Sequence, residues 1–480
     1  MKKIQEIYKR ENELPVKVLQ FGEGNFLRAF VDYLIDTLNE KGIFNGAVTL
    51  CQPIERGLSE KINEQNGLYT LLLRGIENGE PVQKKRVIKS VRNCINPYEN
   101  FEALMSVARS EDLKVIVSNT TEAGIAFNSD DKFEDAPPSS YPAKLTKVLF
   151  ERYTYFKGDL DKKLLITPVE LIENNGDALK KCVLDYVELW NLGEDFANWV
   201  NACCFANTLV DRIVTGFPKN DYNELCEEFG YTDELLVTAE PFFFWALEIP
   251  EEFRDIFPVD KAGLNVVLAD DISGYKMRKV RILNGAHTSS VLGAYLSGYD
   301  IVRDMMHDDA FDKFLKTTLN EEIIPFIPLP LDELNEFANA VFERFNNPFI
   351  DHKLLDISLN SVSKYTARCL PSVLSCFKGE VFPKHLLFSL ACLIEFYHGS
   401  FENGAFIGKR GENTYEIRDN ADVLKKFDTA FKSDDYVKAI LSDESFWGLD
   451  LTEFENAEEY VKTSCENICK NGVKKAMELI

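Results

Sequence analysis

The sequence predicts an α/β domain over residues 1–272 and a mainly α-helical domain over residues 273–480. In the first part, short apolar strand-like runs alternate with helical patterns, which is typical of a mainly parallel sheet covered by helices. In the second part, long amphipathic helical patterns dominate. A chain of 480 residues that is 45% apolar is also too long for a single core. Two large domains are therefore expected.

The order of elements supports this division. Residues 16–21 (VKVLQF) form the first predicted strand, and a glycine turn and a helical pattern lead from it to a second strand at residues 47–51. That spacing is typical of a βαβ unit. Further strands are predicted at residues 87–91, 113–118 and 164–167, with helices at 98–109 and 144–156. In the second domain, helices are predicted at residues 309–319, 331–345, 383–397 and 421–433.

Charge and cysteine content exclude several classes of protein. The net charge of −24 disfavours nucleic acid as a partner, and an anionic substrate would need a local basic pocket. Eleven cysteines without a C-x-x-C pair indicate reduced thiols and a cytoplasmic protein. No apolar run reaches 18 residues, so neither export nor a membrane span is predicted.

The turn between the first strand and its helix predicts a Rossmann-type dinucleotide site. Gly22 and Gly24 follow the strand directly, where glycines allow close approach of a pyrophosphate to the helix N-terminus. Leu27 replaces the third glycine of the usual motif, so an ordinary βα turn is the alternative. The candidate cofactor-binding residues of this segment are Phe21, Gly22, Gly24, Asn25 and Phe26.

The ends of two later strands supply further cofactor candidates. Gln52 stands where an acid usually binds the adenosine ribose, and Glu55 is the nearest carboxylate. Arg56 is the single basic residue of this segment, so no cluster of cations is available for a 2′-phosphate. This favours NAD(H) over NADP(H). Thr120 and Glu122 follow another strand and would face the ligand crevice, although capping of the next helix would also explain such residues.

The segment Lys279-Val-Arg-Ile-Leu-Asn284-Gly-Ala-His287 combines an amine, an amide and an imidazole. On an α-helix, at about 100° per residue, Asn284 and His287 would lie about 140° and 80° from Lys279, on one side of the cylinder. A polar site or a plain amphipathic helix would explain this.

The five histidines form no H-x-x-x-H or H-E-x-x-H motif, so no metal is expected. Without a metal, alcohol oxidation needs a side-chain acid or base, which can be a lysine.

Four segments together resemble the long-chain mannitol dehydrogenase family of polyol and sugar-acid dehydrogenases, over nearly the whole chain. They are Phe21-Gly-Glu-Gly-Asn-Phe-Leu-Arg28, Asn207-x-x-x-Asp-Arg212, Glu240-Pro-Phe242 with Trp245, and Lys279-x-x-x-x-Asn284-x-x-His287. The resemblance implies NAD(H) as cofactor, no metal, and an active site in the cleft between the domains.

The same resemblance implies roles for individual residues. Lys279 would be the acid/base, Asn207 and Asn284 would hydrogen-bond the developing alkoxide, and His287 would position a substrate hydroxyl. The segments 167–176, 281–288 and 347–360 are most similar to members that act on sugar acids. Asp356 stands where polyol-specific members carry an arginine, whereas the lysine eight residues later is retained as Lys364.

A sugar-acid substrate carries a carboxylate, which a chain of net charge −24 must neutralise locally. Lys364, Arg368 and His352 are the candidates, and Arg368 could bind bidentately. An ordinary surface helix would also explain them. The expected activity is thus NADH-dependent reduction of a sugar acid. The alternatives are reduction of a sister sugar acid, oxidation of a polyol such as mannitol, zinc-dependent alcohol oxidation, and nucleotide binding without catalysis. A monomer or small homo-oligomer is expected.

Overall fold

The computed structural model describes residues 1–10, 12–121 and 123–480, which form two compact units. The first unit comprises residues 1–75 and 82–272. The second comprises residues 273–480 together with the short segment 76–81. Apart from the segment 76–81, the chain passes from the first unit to the second between Ile272 and Ser273.

A six-stranded sheet forms the centre of the first unit. Its strands are β1 (Val16–Phe21), β2 (Ala47–Cys51), β3 (Val91–Ile95), β4 (Val115–Ser118), β5 (Leu165–Pro168) and β6 (Cys204–Phe205). Their order across the sheet is β3-β2-β1-β4-β5-β6, and every neighbouring pair is parallel. This is the order of a doubly wound Rossmann sheet, and it confirms the predicted fold class.

Apolar side chains cover both faces of this sheet. In β1, Val18 belongs to the core on one face and Leu19 to the core on the other, because successive strand side chains point to opposite sides. The principal helices of the unit are α1 (Asn25–Ala29), α2 (Val31–Glu40), α3 (Phe101–Ala108), α4 (Tyr141–Tyr155), α5 (Asn175–Leu189) and α6 (Glu194–Ala202). Shorter helices span Ile4–Ile7, Ser59–Glu64, Tyr222–Phe229 and Glu251–Arg254.

The predicted strand at residues 87–91 is wrong. The structure has one strand at Glu80–Ile88 and another, β3, that begins at Val91. The two belong to different sheets, so the chain leaves one ladder and enters another at residues 89–90. A four-stranded sheet has the order Val214–Gly216, Val237–Ala239, Tyr69–Glu77 and Glu80–Ile88. A three-stranded sheet has the order Asn207–Asp211, Phe244–Glu248 and Val266–Ala269.

The second unit is mainly helical, as predicted. Its principal helices are α7 (Ser273–Arg278), α8 (Gly285–Leu296), α9 (Leu331–Phe345), α10 (Ser361–Arg368), α11 (Lys384–Phe396) and α12 (Ala457–Asn471). Others span Val302–Met306, Asp309–Thr317, Leu354–Ile357, Leu370–Lys378, Ala421–Ala430, Tyr436–Leu441, Glu444–Trp447 and Val473–Met477. Three antiparallel strands span Gly399–Glu402, Ala405–Arg410 and Asn413–Glu416. No helix within the described ranges is long and apolar enough to span a membrane.

The backbone between α7 and α8 departs from the α-helix predicted for it. Lys279–Asn284 is a π-helical turn, in which hydrogen bonds join residues five apart, such as the Gly285 N–H and the Val280 carbonyl. The α-helical separation of about 140° between Lys279 and Asn284 is therefore wrong. Because i and i+5 are bonded in a π turn, these two residues stand one above the other.

Candidate active site

The glycine turn after β1 combines a strained position with an open one. Gly22 has φ of +122°, and a Cβ there would lie 2.8 Å from the Asn119 carbonyl oxygen, so only glycine fits. A Cβ on Gly24 would meet no atom within 4 Å. Gly24 is the N-cap of α1, and no side chain caps that end of the helix. The open space beside these backbone N–H groups fits a dinucleotide pyrophosphate.

This difference between the two glycines makes a prediction. Gly22→Ala is expected to lower the free energy of unfolding by about 1–3 kcal/mol because it forces an L-residue into a glycine conformation. Gly24→Ala is expected to change it by less than about 0.5 kcal/mol, yet to weaken NADH binding at least about tenfold by filling the open space. Urea unfolding and fluorescence titration with NADH measure the two effects. Unchanged NADH affinity in Gly24→Ala would exclude this turn as the pyrophosphate site.

A buried polar network around Arg28 and Asp32 supports the glycine turn. Arg28 donates to the Glu23 carbonyl at 3.1 Å, to Asn25 Oδ1 at 2.7 Å and to the Leu235 carbonyl. Asp32 is fully buried, with one oxygen accepting a hydrogen bond from Tyr69 at 3.2 Å. Burial raises the pKa of Asp32 to about 7, although Tyr69, Gln20 and Arg28 act in the opposite direction.

The raised pKa predicts how stability depends on pH. Between pH 3.8 and about 7, the unfolded chain releases the Asp32 proton while the folded chain keeps it, so stability falls as pH rises. Asp32→Asn removes this loss, which amounts to about 1.4 kcal/mol per pH unit. In urea unfolding, the free energy of unfolding of Asp32→Asn should therefore rise relative to that of the parent as pH increases from about 5.5 to about 7. The exposed control Asp112→Asn should show no such rise. Parallel curves for Asp32→Asn and the parent would contradict the assignment.

The other cofactor candidates have well-defined surroundings. The Phe21 ring is buried against Tyr141, with centroids 5.0 Å apart, and Phe26 stacks on Phe30 at 5.0 Å. The Gln52 amide donates to the Ile54 and Glu55 carbonyls and accepts from the Ser59 N–H, so it shapes the loop after β2. Glu122 lies outside the described residues.

Glu170, which the sequence analysis did not single out, joins the ends of β4 and β5. Its buried carboxylate accepts from Ser118 Oγ at 3.0 Å and from both the N–H and the Oγ of Thr120, at 3.0 and 3.1 Å. Thr120 is thus fixed by a buried acid. Asn207 begins a strand of the three-stranded sheet and exchanges two hydrogen bonds with Asp177, at 3.0 and 3.1 Å.

In the second unit, Lys279, Asn284 and His287 share one continuous run from the π turn into α8. The His287 ring stacks on Phe345 of α9, with centroids 4.2 Å apart, and meets the His352 ring edge-on at 5.3 Å. Its Nε2 is buried and has no hydrogen-bond partner among the described residues. An orphaned nitrogen in a packed wall indicates a position where a ligand hydroxyl would bind.

Cationic side chains surround His287. Burial lowers the pKa of His287 well below its usual value, and His352, Arg344, Arg368 and Lys364 lower it further. Arg368 Nη1 lies 3.4 Å from Thr288 Oγ1, one residue beyond His287. Lys364 is one turn earlier on α10 and donates to the Ile357 carbonyl at 2.8 Å. The structure therefore brings the three predicted carboxylate-binding residues to the imidazole.

Arg344 is the cation that the sequence analysis missed. It is buried, at 9% exposure, and precedes Phe345, on which the His287 ring stacks. More than fifty residues separate it from His287, and a single arginine within an amphipathic helix gives no signal. Lys364 and Arg368 are both half-buried, and burial lowers the pKa of each. In the described part of the chain, no group of three or more His, Cys, Asp or Glu side chains is placed to hold a metal ion.

Comparisons with known proteins agree with this architecture. Residues 16–255 match the family model of the mannitol dehydrogenase Rossmann domain, and residues 271–469 match that of the mannitol dehydrogenase C-terminal domain. Among solved structures, D-sorbitol dehydrogenase in substrate-free form aligns with a TM-score of 0.80, 24% identity, and coverage of 97% of this chain and 95% of that one. Mannitol 2-dehydrogenase of Pseudomonas fluorescens aligns with a TM-score of 0.65 and 20% identity, over 97% and 94% of the chains.

Curated relatives are more similar in sequence. The altronate oxidoreductase of Yersinia enterocolitica is 43% identical over 474 residues, which is 96% of each chain. The altronate oxidoreductase of Shigella flexneri is 42% identical over 476 residues, 97% of each chain. With both domain models matched in order and such identity along nearly its whole length, the chain belongs to the mannitol dehydrogenase family and is an oxidoreductase acting on CH–OH groups.

Proposed function

We propose that this enzyme catalyses the reversible, NADH-dependent reduction of D-tagaturonate to D-altronate. The observation that carries the proposal is the orphaned Nε2 of His287 among three cationic side chains, Arg344, Arg368 and Lys364, in the same helical run as Lys279. A hydroxylated anion matches those partners better than an uncharged polyol does. The names of the curated relatives, altronate oxidoreductases at 42–43% identity, support the same substrate class.

The proposed cofactor is NAD(H), held at the glycine turn after β1. When bound, it supplies or accepts the hydride. The N–H groups that begin α1 beside Gly24 would bind its pyrophosphate, and Thr120, fixed by Glu170, would line the same edge of the sheet. The Gln52 amide holds the loop where an acid usually binds ribose, and Arg56 is the lone cation of that loop, which favours a dinucleotide without a 2′-phosphate.

Lys279 is the proposed acid and base. In ketone reduction its ammonium group would give a proton to the oxygen that becomes the new hydroxyl, and in alcohol oxidation its amine would take that proton back. The π turn supports a joint action with Asn284, because bonding between residues five apart sets the two on one side of the helix. No metal is needed for this proton transfer.

The two asparagines and His287 would orient and stabilise the reacting group. Asn284, with Asn207, would donate amide N–H bonds to the developing alkoxide, and one oriented donor of this kind contributes about 3 kcal/mol. Asn207 has a second amide N–H besides the one that Asp177 accepts. His287 stays neutral because its pKa is lowered, so its ring can bond a substrate hydroxyl without adding a charge. Arg368, Lys364 and His352 would bind the carboxylate.

A substrate panel tests the assignment. Purified enzyme should reduce tagaturonate with NADH at a kcat/KM at least about a hundredfold above that for fructose, because a missing charge-assisted contact costs about 1.5–3 kcal/mol for each bond. Fructuronate and mannitol measure the sister activities, and NADPH measures cofactor preference. Activity confined to fructose and mannitol would overturn the sugar-acid proposal, and activity abolished by a chelator would overturn metal independence.

A further inference from the structure

A cavity of about 850 Å³ lies in the first unit, at the end of the six-stranded sheet opposite the glycine turn. Leu14, just before β1, lines it, as do Ala47, the first residue of β2, and Ser90, just before β3. All three strands therefore begin at this cavity. Because the strands are parallel, the glycine turn after β1 lies at their other end, so the cavity is not part of the proposed cofactor site.

The wall of the cavity is rich in positive charge. Its cationic side chains are Arg10, Lys84, Lys85, Arg86, Lys89 and Arg92. Its described acidic side chains are Glu13, Asp36 and Glu40. In a chain of net charge −24, such a local excess of cations is unusual and would attract anions.

The carboxylates are already engaged by two of the arginines. Arg86 pairs with Asp36 at 2.7 Å and with Glu40 at 2.9 Å, and Arg92 pairs with Glu13 at 3.1 Å. Among the described residues, no ion pair joins Arg10, Lys85 or Lys89 to a carboxylate. The ammonium group of Lys85 lies over the Phe229 ring, 4.6 Å from its centroid.

Arg10 adds an independent sign of a missing partner. Its Nη2 donates to the Arg92 carbonyl at 3.2 Å, while its Nε is buried and has no hydrogen-bond partner among the residues that the structure describes. Burial lowers the pKa of Arg10, and the neighbouring Arg92 lowers it further, against Glu13. A buried guanidinium N–H without an acceptor, beside a second guanidinium, is a costly arrangement that an anion would relieve.

Protection of a sheet edge does not account for this cluster. Glu80–Ile88 is the edge strand of the four-stranded sheet, and lysines on such strands discourage pairing with other chains. That role fits Lys84 and Lys85. It does not fit Arg10 and Lys89, which lie outside every strand yet line the same cavity.

We propose that this cavity is a second anion site, which binds a small organic phosphate carrying two or more negative charges. Guanidinium groups match phosphate oxygens with paired N–H donors, and lysines add point charges. A volume of about 850 Å³ is large enough for a sugar phosphate or a mononucleotide. The proposal is independent of the reaction assigned to the second unit.

Calorimetric titration of the full chain with inorganic pyrophosphate tests the proposal. NADH is kept saturating, so that pyrophosphate cannot occupy the glycine turn. The expected result is a pyrophosphate site whose affinity is at least tenfold weaker in the variant Arg10→Gln with Lys89→Gln, while any binding at the cations around His287 is unchanged in that variant. A second variant, Lys85→Gln with Lys89→Gln, leaves Arg10 in place and should also weaken binding. It provides the test if the first variant does not fold.

Controls separate this site from others. Lys470→Gln with Lys475→Gln makes the same change of net charge at exposed positions of the second unit and should bind like the parent. AMP and glucose 6-phosphate distinguish nucleotide from sugar phosphate, and citrate tests whether a carboxylate anion suffices. With NADH saturating, the proposal is overturned by the absence of binding or by equal affinity in all variants. Substrate turnover is measured separately, so failure of the proposed reaction would leave this result interpretable.

Discussion

An enzyme in which Lys279 is replaced by alanine is expected to reduce tagaturonate with a kcat about 10²- to 10⁴-fold below that of the parent, the usual contribution of a positioned general acid. The amine begins the π turn that also carries Asn284. NADH affinity should change less than about twofold, since the glycine turn lies in the other unit. The pH dependence of kcat should also flatten, because the titrating group is gone.

Lys316→Ala is the matched control for this experiment. Lys316 is an exposed lysine of the same unit, and it pairs with Asp312 at 2.7 Å across one helical turn. Its loss should leave kcat unchanged, since an exposed ion pair contributes less than about 1 kcal/mol to stability. Unchanged turnover in Lys279→Ala, with a fold intact by circular dichroism, would refute the acid/base role. Equal losses in both variants would indicate a general effect on the helical unit.

The double variant Lys364→Met with Arg368→Leu is expected to lower kcat/KM for tagaturonate about 10²- to 10⁴-fold, because it removes two charge-assisted contacts worth about 1.5–3 kcal/mol each. Both residues are half-buried on one face of α10, beside the His287 imidazole. An uncharged ketose such as fructose has no carboxylate, so it makes no contact that the double variant removes. Its kcat/KM should therefore change by less than about threefold.

Two comparisons distinguish carboxylate binding from general damage to the site. Arg368→Lys keeps the charge but loses the paired N–H geometry, so it should retain an intermediate activity towards tagaturonate. Lys426→Met changes an exposed lysine of the same unit, which pairs with Asp443, and should leave the substrate preference unchanged. A similar loss for tagaturonate and fructose in the double variant would contradict the carboxylate assignment.

The sequence predicted the first unit well where local patterns decide structure. Val16–Phe21 and Ala47–Cys51 have the predicted bounds, because buried parallel strands are nearly continuous apolar runs between turn residues. The break at residues 89–90 was missed, since both flanking segments have strand-like composition. Only the pairing of Glu80–Ile88 with Tyr69–Glu77 separates that segment from the parallel sheet.

The sequence was enough to predict the motif residues of the candidate site. It was not enough to predict which residues pack around them. Lys279, Asn284 and His287 stand close in sequence, so their spacing is informative. Arg344 and Phe345 reach His287 from a helix more than fifty residues away, and Glu170 reaches Thr120 across fifty residues. Such contacts depend on how helices and strands pack, which no local pattern encodes. The π turn was also missed, because α and π backbones differ only in which carbonyl each N–H bonds.

The sequence by itself determined the fold class, the glycine turn and the set of polar residues that carry the proposed chemistry. These follow from periodicity, from glycine's freedom at positive φ and from residue type, all of which are local properties. Tertiary structure alone decided that Lys364, Arg368, His352 and Arg344 surround one imidazole with an orphaned Nε2. It also decided that a cationic cavity lies at the end of the six-stranded sheet opposite the glycine turn. The physical reason is that burial and electrostatic potential arise from groups brought together across the chain, and neither exists before the chain folds.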